Sequence, residues 1–573
     1  MKEIGTNVLV IGSGAAGLRT AIELDELGTD CIVVGKCTMG DAHTTLATGG
    51  INAALGNMDP KDHWLLHAAD TFREGQYIAD HLVVEKLCRE APRAIKDLES
   101  YGMKFHREAN GKITQRFFGA ALYRRACFSG DETGKEIIRC MVAETKKRRI
   151  KFMEDVYVTK LLKSRNRVSG AFGVDVKEGD FIVLVAKAVV LATGGFSRIY
   201  RRSSSRTFEN TGDGVTLAYE AGAELQDMEM TQFHPTGMIW PPEAEGILVT
   251  EAVRGEGGFL YNSKHERFMK KYDKKRMELG PRDEVARAVY SEIEAGRGTE
   301  HGGVWLDVRH LKKEYILERL PKMYRQFHDF LHLDISKDLM EVAPTSHYSM
   351  GGIKVDWRTM QTCVPGLFAV GEVTGGLHGA NRLGGNSLLE CIVFGNHAAG
   401  AASRAAEKAG REEMDNAEID REAERIKSLI GKSGPGVSLL RKRIQENMWE
   451  HAGIIRDERR MKRGLYELEQ IRTLVADQKA YSIKSSEFPA LLDVRNMLIP
   501  CEAVMRTALL RKESRGAHAR SDYKSKSSRY LGSFVCRKSG RGMEISFQKT
   551  QKPDGPILKA LKTVEKAKYH HLE

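Results

Sequence analysis

The sequence predicts an α/β protein: a doubly wound sheet domain interrupted by an inserted α+β domain, then a helical domain and a small carboxy-terminal region. Three observations carry that expectation. A unit of buried strand, tight glycine turn, helix and second strand opens the chain, a buried strand ending in glycine returns at 366–372, and between them, from 236 to 350, the texture changes to Pro/Gly-rich loops and charged helices.

Residues 7–11, Asn-Val-Leu-Val-Ile, read as a buried strand, Ala15 to Leu27 repeat with a 3.6 period up to a glycine stop at Gly28, and Cys31 to Val34 make the second strand. Gly12-x-Gly14-x-x-Gly17 lies in the turn between strand and helix. The first glycine makes the turn, the second lets backbone approach a pyrophosphate, and the third allows close helix–sheet packing. The helix begins at Ala15, and its amino terminus offers free N–H groups to phosphate oxygens. Nucleotide binding follows. The acid that usually grips a ribose at the end of the second strand is missing, because Val34 is followed by Gly35 and Lys36. That weakens an NAD reading and suits a Rossmann-like FAD-binding domain, with Lys36 among the candidate contacts.

Further along, residues 62–100 read as helix broken by Gly75 and Pro92, and Val156 to Val185 alternate as a small antiparallel patch. Lys187 to Ala192 is a separate buried strand that ends in a glycine turn containing Gly194, where a parallel sheet presents backbone to a ligand. Charged helices are expected at 283–295 and 311–330. At 366–372 the sheet resumes, and Glu372 at its end is placed to meet ribityl or ribose hydroxyls. The expected domains are 1–235 with 351–430 for the sheet, 236–350 for the insertion (a capping domain), 431–525 helical, and 526–573 a small region. The basic, Gly/Ser-rich composition of that last stretch predicts exposure or partner contact rather than core, with a frayed end.

Across 573 residues, 89 Lys+Arg against 77 Asp+Glu give +12, which suits an acidic substrate, an acidic partner or an anionic membrane face. The basic residues are dispersed and no nucleic-acid-binding pattern accompanies them, so no nucleic-acid partner is expected. Nine cysteines are scattered without a CxxC pair, so the chain is expected to hold no metal and no iron–sulphur cluster of its own. The odd count and the lack of a leader favour a reducing, cytoplasmic location. No window approaches the roughly 18 apolar residues of a membrane span. Attachment to the inner face of the cell membrane would run through partner subunits.

Several longer segments then resemble the flavoprotein subunit of the succinate dehydrogenase and fumarate reductase family, which is related to L-aspartate oxidase. These are His43-Thr44 followed by Gly49-Gly50, the run from Gln232 to Gly237, Leu248 to Glu251 with Arg254 to Gly258, Pro281 to Arg287, Ser346 to Gly352, Leu377 to Ser387, and Arg511 to Tyr523. The resemblance covers about 7–525.

It implies FAD, joined covalently through His43, with Thr44, Gly49, Gly50, Asp213, Asn386, Ser387 and Leu388 around it. It implies that His234, Thr250, His347 and Arg382 bind the two carboxylates of succinate or fumarate, that Phe118 walls the substrate against the flavin, and that Arg282 exchanges a proton in concert with Glu251. Hydride transfer at flavin N5 is the implied reaction. A separate iron–sulphur subunit is the implied partner, with a membrane anchor or thiol-oxidising subunits beyond it.

The chain departs from the family at Thr48, where glutamine is usual, at Gly119-Ala120-Ala121, and at Lys524 to Ser528, where relatives are acidic. Two alternatives share the pattern: L-aspartate oxidase, against which His43 speaks, and a soluble fumarate reductase that draws electrons from thiols.

Overall fold

A computed structural model describes residues 1–410 and 414–567. Its central sheet runs in the order Lys151–Met153, Cys31–Val34, Lys2–Ile11, Phe181–Leu191, Arg167–Asp175, Val156–Ser164, and Leu367–Ala369 lies parallel against Phe181–Leu191. Lys2–Ile11 pairs in parallel with Cys31–Val34 on one side and with Phe181–Leu191 on the other, Leu9 facing Ile32 and Val189. Val8, Leu9 and Val10 are fully buried, so this strand is covered on both faces, as a parallel sheet sandwiched by helices requires. The covering helices include Ala15–Glu26 and Asn386–Lys408, which pack on each other although the whole inserted region separates them in sequence.

Phe181–Leu191 corrects one expectation. The antiparallel patch and the buried strand at 187–192 are not separate: one strand pairs antiparallel with Arg167–Asp175 through its first half and parallel with Lys2–Ile11 and Leu367–Ala369. The alternation ends where the second face becomes covered.

Pro92 does not break the helix His81–Ser100. Proline removes one hydrogen bond to the carbonyl four residues back, but Val84, Leu87, Ala91 and Ile95 are buried along one face and hold the helix through it. The stretch 311–330 is two helices, Lys313–Arg319 and Pro321–Leu331, with proline opening the second.

The inserted region has its own sheet, ordered Thr231–Met238, Met340–Ser349, Val304–Asp307, Phe259–Tyr261, and its own apolar core around Leu260, Val289, Leu306 and Met323. The strand Thr231–Met238 runs across position 235. The helices Val437–Ala452, Glu458–Asp477 and Glu487–Leu510 pack together beyond it.

The last region is less exposed than its composition predicts. Gly532–Ser539 joins a sheet with Leu225–Gln226 and buries its first half, while Gly555–Lys566 sets Ile557, Ala560, Leu561 and Val564 against the helix Trp64–Glu74. The basic residues occupy only the outer faces. The frayed end expected there lies, for 568–573, outside the described residues.

Candidate active site

One elongated cavity, with about 1720 Å³ free of protein atoms including its mouth, reaches from the Gly12 turn to Arg282 and Arg382. At the first end the side chains are absent by necessity. Gly12 has φ +115°, and a Cβ there would overlap the Ala192 carbonyl; one at Gly17 would overlap the carbonyl of Gly12. Gly17 is therefore not in the wall but sets the helix against the sheet. Gly14 and Ala15 do line the cavity, and the Ala15 N–H donates to Thr44 Oγ1 at 3.3 Å. Gly194 also lines it, at φ +76°, with a hypothetical Cβ only 2.5 Å from Asn210 Oδ1. Added carbons at Gly49 and Gly50 would meet the Phe118 ring at 2.7 Å and the Cys127 carbonyl at 2.8 Å. These residues fit a long flat dinucleotide laid on backbone.

Lys36 and Asp213 both line the cavity but are bound to each other. Lys36 Nζ donates to Asp213 Oδ2 at 2.6 Å and to Asp493 Oδ1 at 3.1 Å, and Tyr157 Oη donates to Asp493 at 2.9 Å. Asp493 belongs to the helix Glu487–Leu510, so the helical domain closes this end.

Asn386 lies outside the wall. Its Oδ1 accepts from Asn52 Nδ2 at 2.8 Å and contacts His67 Nε2 at 2.9 Å, and its Nδ2 donates to Thr71 at 2.8 Å, so it fastens the helix start to Trp64–Glu74. Its neighbours Ser387 and Leu388 do face the cavity.

At mid-length stand His43, Glu372 and Phe118. His43 Nδ1 is 3.4 Å from Glu209 Oε2. Burial opposes charge on His43, but the hydrogen bond and charge of Glu209 outweigh it and raise the imidazole pKa. Burial, against the opposing pull of His43, raises Glu372 to about 7, and its Oε1 accepts from the Ser349 N–H at 3.0 Å.

The far end gathers charge. Thr231–Met238 and Met340–Ser349 are paired strands, which brings His234 and His347 together with ring centroids 5.4 Å apart. Thr250 precedes the short helix Ala252–Gly255, and Arg282 opens the helix Arg282–Glu292. Arg282 grips Glu251 Oε2 with Nε at 2.8 Å and Nη2 at 2.7 Å, while Glu251 Oε1 accepts from the Gly119 N–H at 2.8 Å. Burial works against ionising Glu251, but Arg282 and Arg254 overcome it and hold the carboxyl well below its usual range. Desolvation and then Arg282 depress both His234 and His347 far below the ordinary imidazole value, so both are neutral. Burial and then Arg282 lower Arg382 to about 10.

Several buried polar atoms at or behind this end have no protein partner. They include His234 Nε2, Arg382 Nε, and Nε and Nη2 of Arg254. A buried donor left unsatisfied costs roughly 1–3 kcal/mol. Arg254, Arg282 and Arg382 stand against Glu251, and the excess positive charge suits a small dianion.

Sequence reasoning overlooked several members. Gln232 Oε1 accepts from Arg282 Nη1 at 3.2 Å and Arg382 Nη2 at 2.9 Å, bridging two like charges from well-separated segments. Gln232 and Arg254 stood inside quoted motifs, so their position was available though their role was not. Ser204, 2.8 Å from His347 Nδ1, and Glu209 lie in a stretch with no recognisable signal.

The fold and this cavity define an FAD-dependent oxidoreductase. An FAD binding domain family matches 7–388, and a family described as the fumarate reductase flavoprotein C-term matches 441–555. The chain is 43% identical over 521 residues to one subunit of the fumarate reductase (CoM/CoB) of Methanothermobacter marburgensis, covering 90% of this chain and 94% of that one. It is 37% identical to the 8-methylmenaquinol:fumarate reductase flavoprotein subunit of Wolinella succinogenes, covering 90% and 86%. Among solved structures, Mycobacterium smegmatis Sdh1 in complex with UQ1 superposes with a TM-score of 0.88 at 40% identity, covering 97% of this chain and 96% of the other. The chain belongs to the succinate dehydrogenase/fumarate reductase flavoprotein family, and it binds FAD.

Proposed function

We propose that this chain interconverts succinate and fumarate as the catalytic flavoprotein subunit of its enzyme. The observation that carries the reading is one continuous cavity with a glycine cradle for a dinucleotide at one end and, at the other, His234, Arg282, His347 and Arg382, with His234 Nε2 and Arg382 Nε buried and without a protein partner.

FAD supplies a hydride acceptor or donor at N5. The chain supplies the rest. His234, Thr250, His347 and Arg382 hold the two carboxylates, and a planar guanidinium at Arg382 can meet one of them with two parallel N–H groups. A bound dianion raises the proton affinity of His234 and His347, countering the burial that keeps them neutral. Fixing the carboxylates out of a common plane removes conjugation from the fumarate double bond and makes it electrophilic. Arg282 exchanges the proton at the second carbon, and Glu251, whose Oε2 meets two nitrogens of Arg282, receives or restores that proton. Arg254 stabilises the Glu251 carboxylate from behind. The inserted domain brings His234, Thr250, Glu251 and Arg282 over the cavity and excludes water.

His43 is assigned as the point of covalent flavin attachment. It lines the cavity, and its Nδ1 is engaged by Glu209. Electrons pass to a separate iron–sulphur subunit. No helix of the described residues is long and apolar enough to cross a membrane. Any membrane attachment, at the cytoplasmic face, runs through an anchor subunit; thiol-oxidising subunits would replace that anchor in a soluble assembly.

A dye-linked assay of the flavin-loaded protein tests the reaction. Turnover of succinate and fumarate without oxidation of L-aspartate is expected, and aspartate oxidation with no succinate turnover would reject the assignment. Flavin fluorescence should stay with the denatured wild-type chain and be lost from His43→Ser; flavin released freely from the wild type rejects the covalent link.

A further inference from the structure

Arg382 must be charged and correctly aimed, yet no carboxylate among the described residues pairs with it. Its partners are neutral: Gln232 Oε1 at 2.9 Å from Nη2, Ser387 Oγ at 3.1 Å from Nη1, and the Tyr348 ring, whose centroid lies 4.3 Å from the guanidinium carbon. Behind that ring is a buried carboxylate. Glu390, 1% exposed on the helix Asn386–Lys408, accepts from Tyr348 Oη at 2.7 Å and from Thr374 Oγ1 at 3.1 Å, and lies 2.9 Å from His378 Nε2.

We propose that Glu390 is a positioning residue for the substrate arginine: by holding the Tyr348 phenol from behind, it fixes the aromatic face on which Arg382 rests and so sets the affinity of the site for dicarboxylates. The inference rests on the dicarboxylate reading above and adds to it a residue that touches neither substrate nor flavin.

The geometry explains why the negative charge is placed at one remove. A carboxylate in the guanidinium plane would occupy the N–H groups that the substrate needs. A ring on the flat face stabilises the cation through its quadrupole and leaves the plane free. A phenol that donates to a carboxylate is more electron-rich, which strengthens that attraction, and Glu390 fixes the ring angle through Tyr348 Oη. Tyr348 follows His347 directly on the strand Met340–Ser349, so the same ring also registers the histidine. Glu390 itself is satisfied without Arg382, by three groups from two segments.

The test compares Tyr348→Phe, Glu390→Gln and the double variant in the flavin-loaded enzyme. It reads kcat, KM for fumarate, the inhibition constant of malonate as a non-reacting dicarboxylate, and FAD content. Loss of the polarised ring contact is expected to raise KM and the malonate constant about 5- to 10-fold in each single variant, with kcat changed less than about 3-fold. The double variant should be no worse than the poorer single one, because Tyr348→Phe removes, and Glu390→Gln strips of its charge, one and the same hydrogen bond.

Full FAD content with unchanged KM and malonate constant in Tyr348→Phe overturns the proposal, as do additive losses or a loss confined to kcat. Tyr348→Phe removes a single hydroxyl, so it decides the matter even if Glu390→Gln fails to fold. A wild-type enzyme indifferent to malonate, succinate and fumarate would instead reject the dicarboxylate reading.

Discussion

At the nucleotide end of the cavity close approach is achieved by removing side chains, whereas at the dicarboxylate end it is achieved by crowding charged ones together. Gly12, Gly14 and Ala15 come from one turn, and Gly49 and Gly50 from the next loop. His234, Thr250, Arg282, His347 and Arg382 arrive on five segments spread over nearly 150 residues. The first end is built of backbone whose conformation the local sequence dictates. The second is built of groups that repel one another and are held in place by Glu251 and Gln232. Binding a long, flexible cofactor needs surface and shape; reacting with a dianion needs a preorganised field.

Arg282→Ala should break the comparison most sharply. It removes the proposed proton donor and is expected to lower kcat about 10³-fold, while the flavin absorbance of the purified protein stays at the wild-type level. Normal turnover in this variant would refute the role given to Arg282. Next, Arg382→Ala should weaken dicarboxylate binding about 10²-fold, the range for truncating one side of a buried charge pair, again with the flavin retained. A large loss of FAD in either variant would mean that the two ends are not separable.

Gly12→Ala probes the opposite end. Its added carbon has nowhere to go beside the Ala192 carbonyl, and φ +115° is strained for alanine. The expected outcome is a roughly 10-fold lower FAD occupancy at equal protein, with a cost of about 1–3 kcal/mol in unfolding free energy. In the molecules that keep flavin, KM for fumarate should be unchanged.

The smallest effect is a pH signature. In the flavin-free chain Glu372 keeps its proton up to about 7 against 4.5 for the ordinary carboxyl. Its contribution to stability is therefore complete below pH 4.5 and lost as pH rises through 7. Glu251 is shifted the other way, so its contribution is present above pH 4.5 and lost only as the solution becomes strongly acidic. Denaturant titrations at pH 4.5 and 7.5 should show Glu372→Gln reducing the difference between them by roughly 1–2 kcal/mol, allowing for the partial exposure of this side chain. An unaltered difference would remove the contrast between the two carboxylates.

Much of this was legible in the residues. The glycine spacing after a buried strand forces a turn that only glycine can make, and the Gly12 overlap with Ala192 shows why. The histidines and arginines of the charged end stood in recognisable motifs. The bridging role of Gln232 was not legible, because it depends on Arg282 and Arg382 meeting from opposite sides. Asn386 was misplaced for the same kind of reason: one residue before two wall residues, it turns away into Asn52, His67 and Thr71. The basic tail was judged by composition, which records charge but not which face of a strand carries it.

By itself the sequence determined the local conformations: the turn at Gly12, the helix from Ala15, and the residue types able to bind a dianion. Those depend on sterics and chemistry within a few neighbouring residues. Only the tertiary structure decided that Phe181–Leu191 serves two sheet environments, that Asp493 closes on Lys36, and that Glu390 stands behind Arg382. Each of these joins segments distant in the chain, and such contacts are fixed by how whole elements pack.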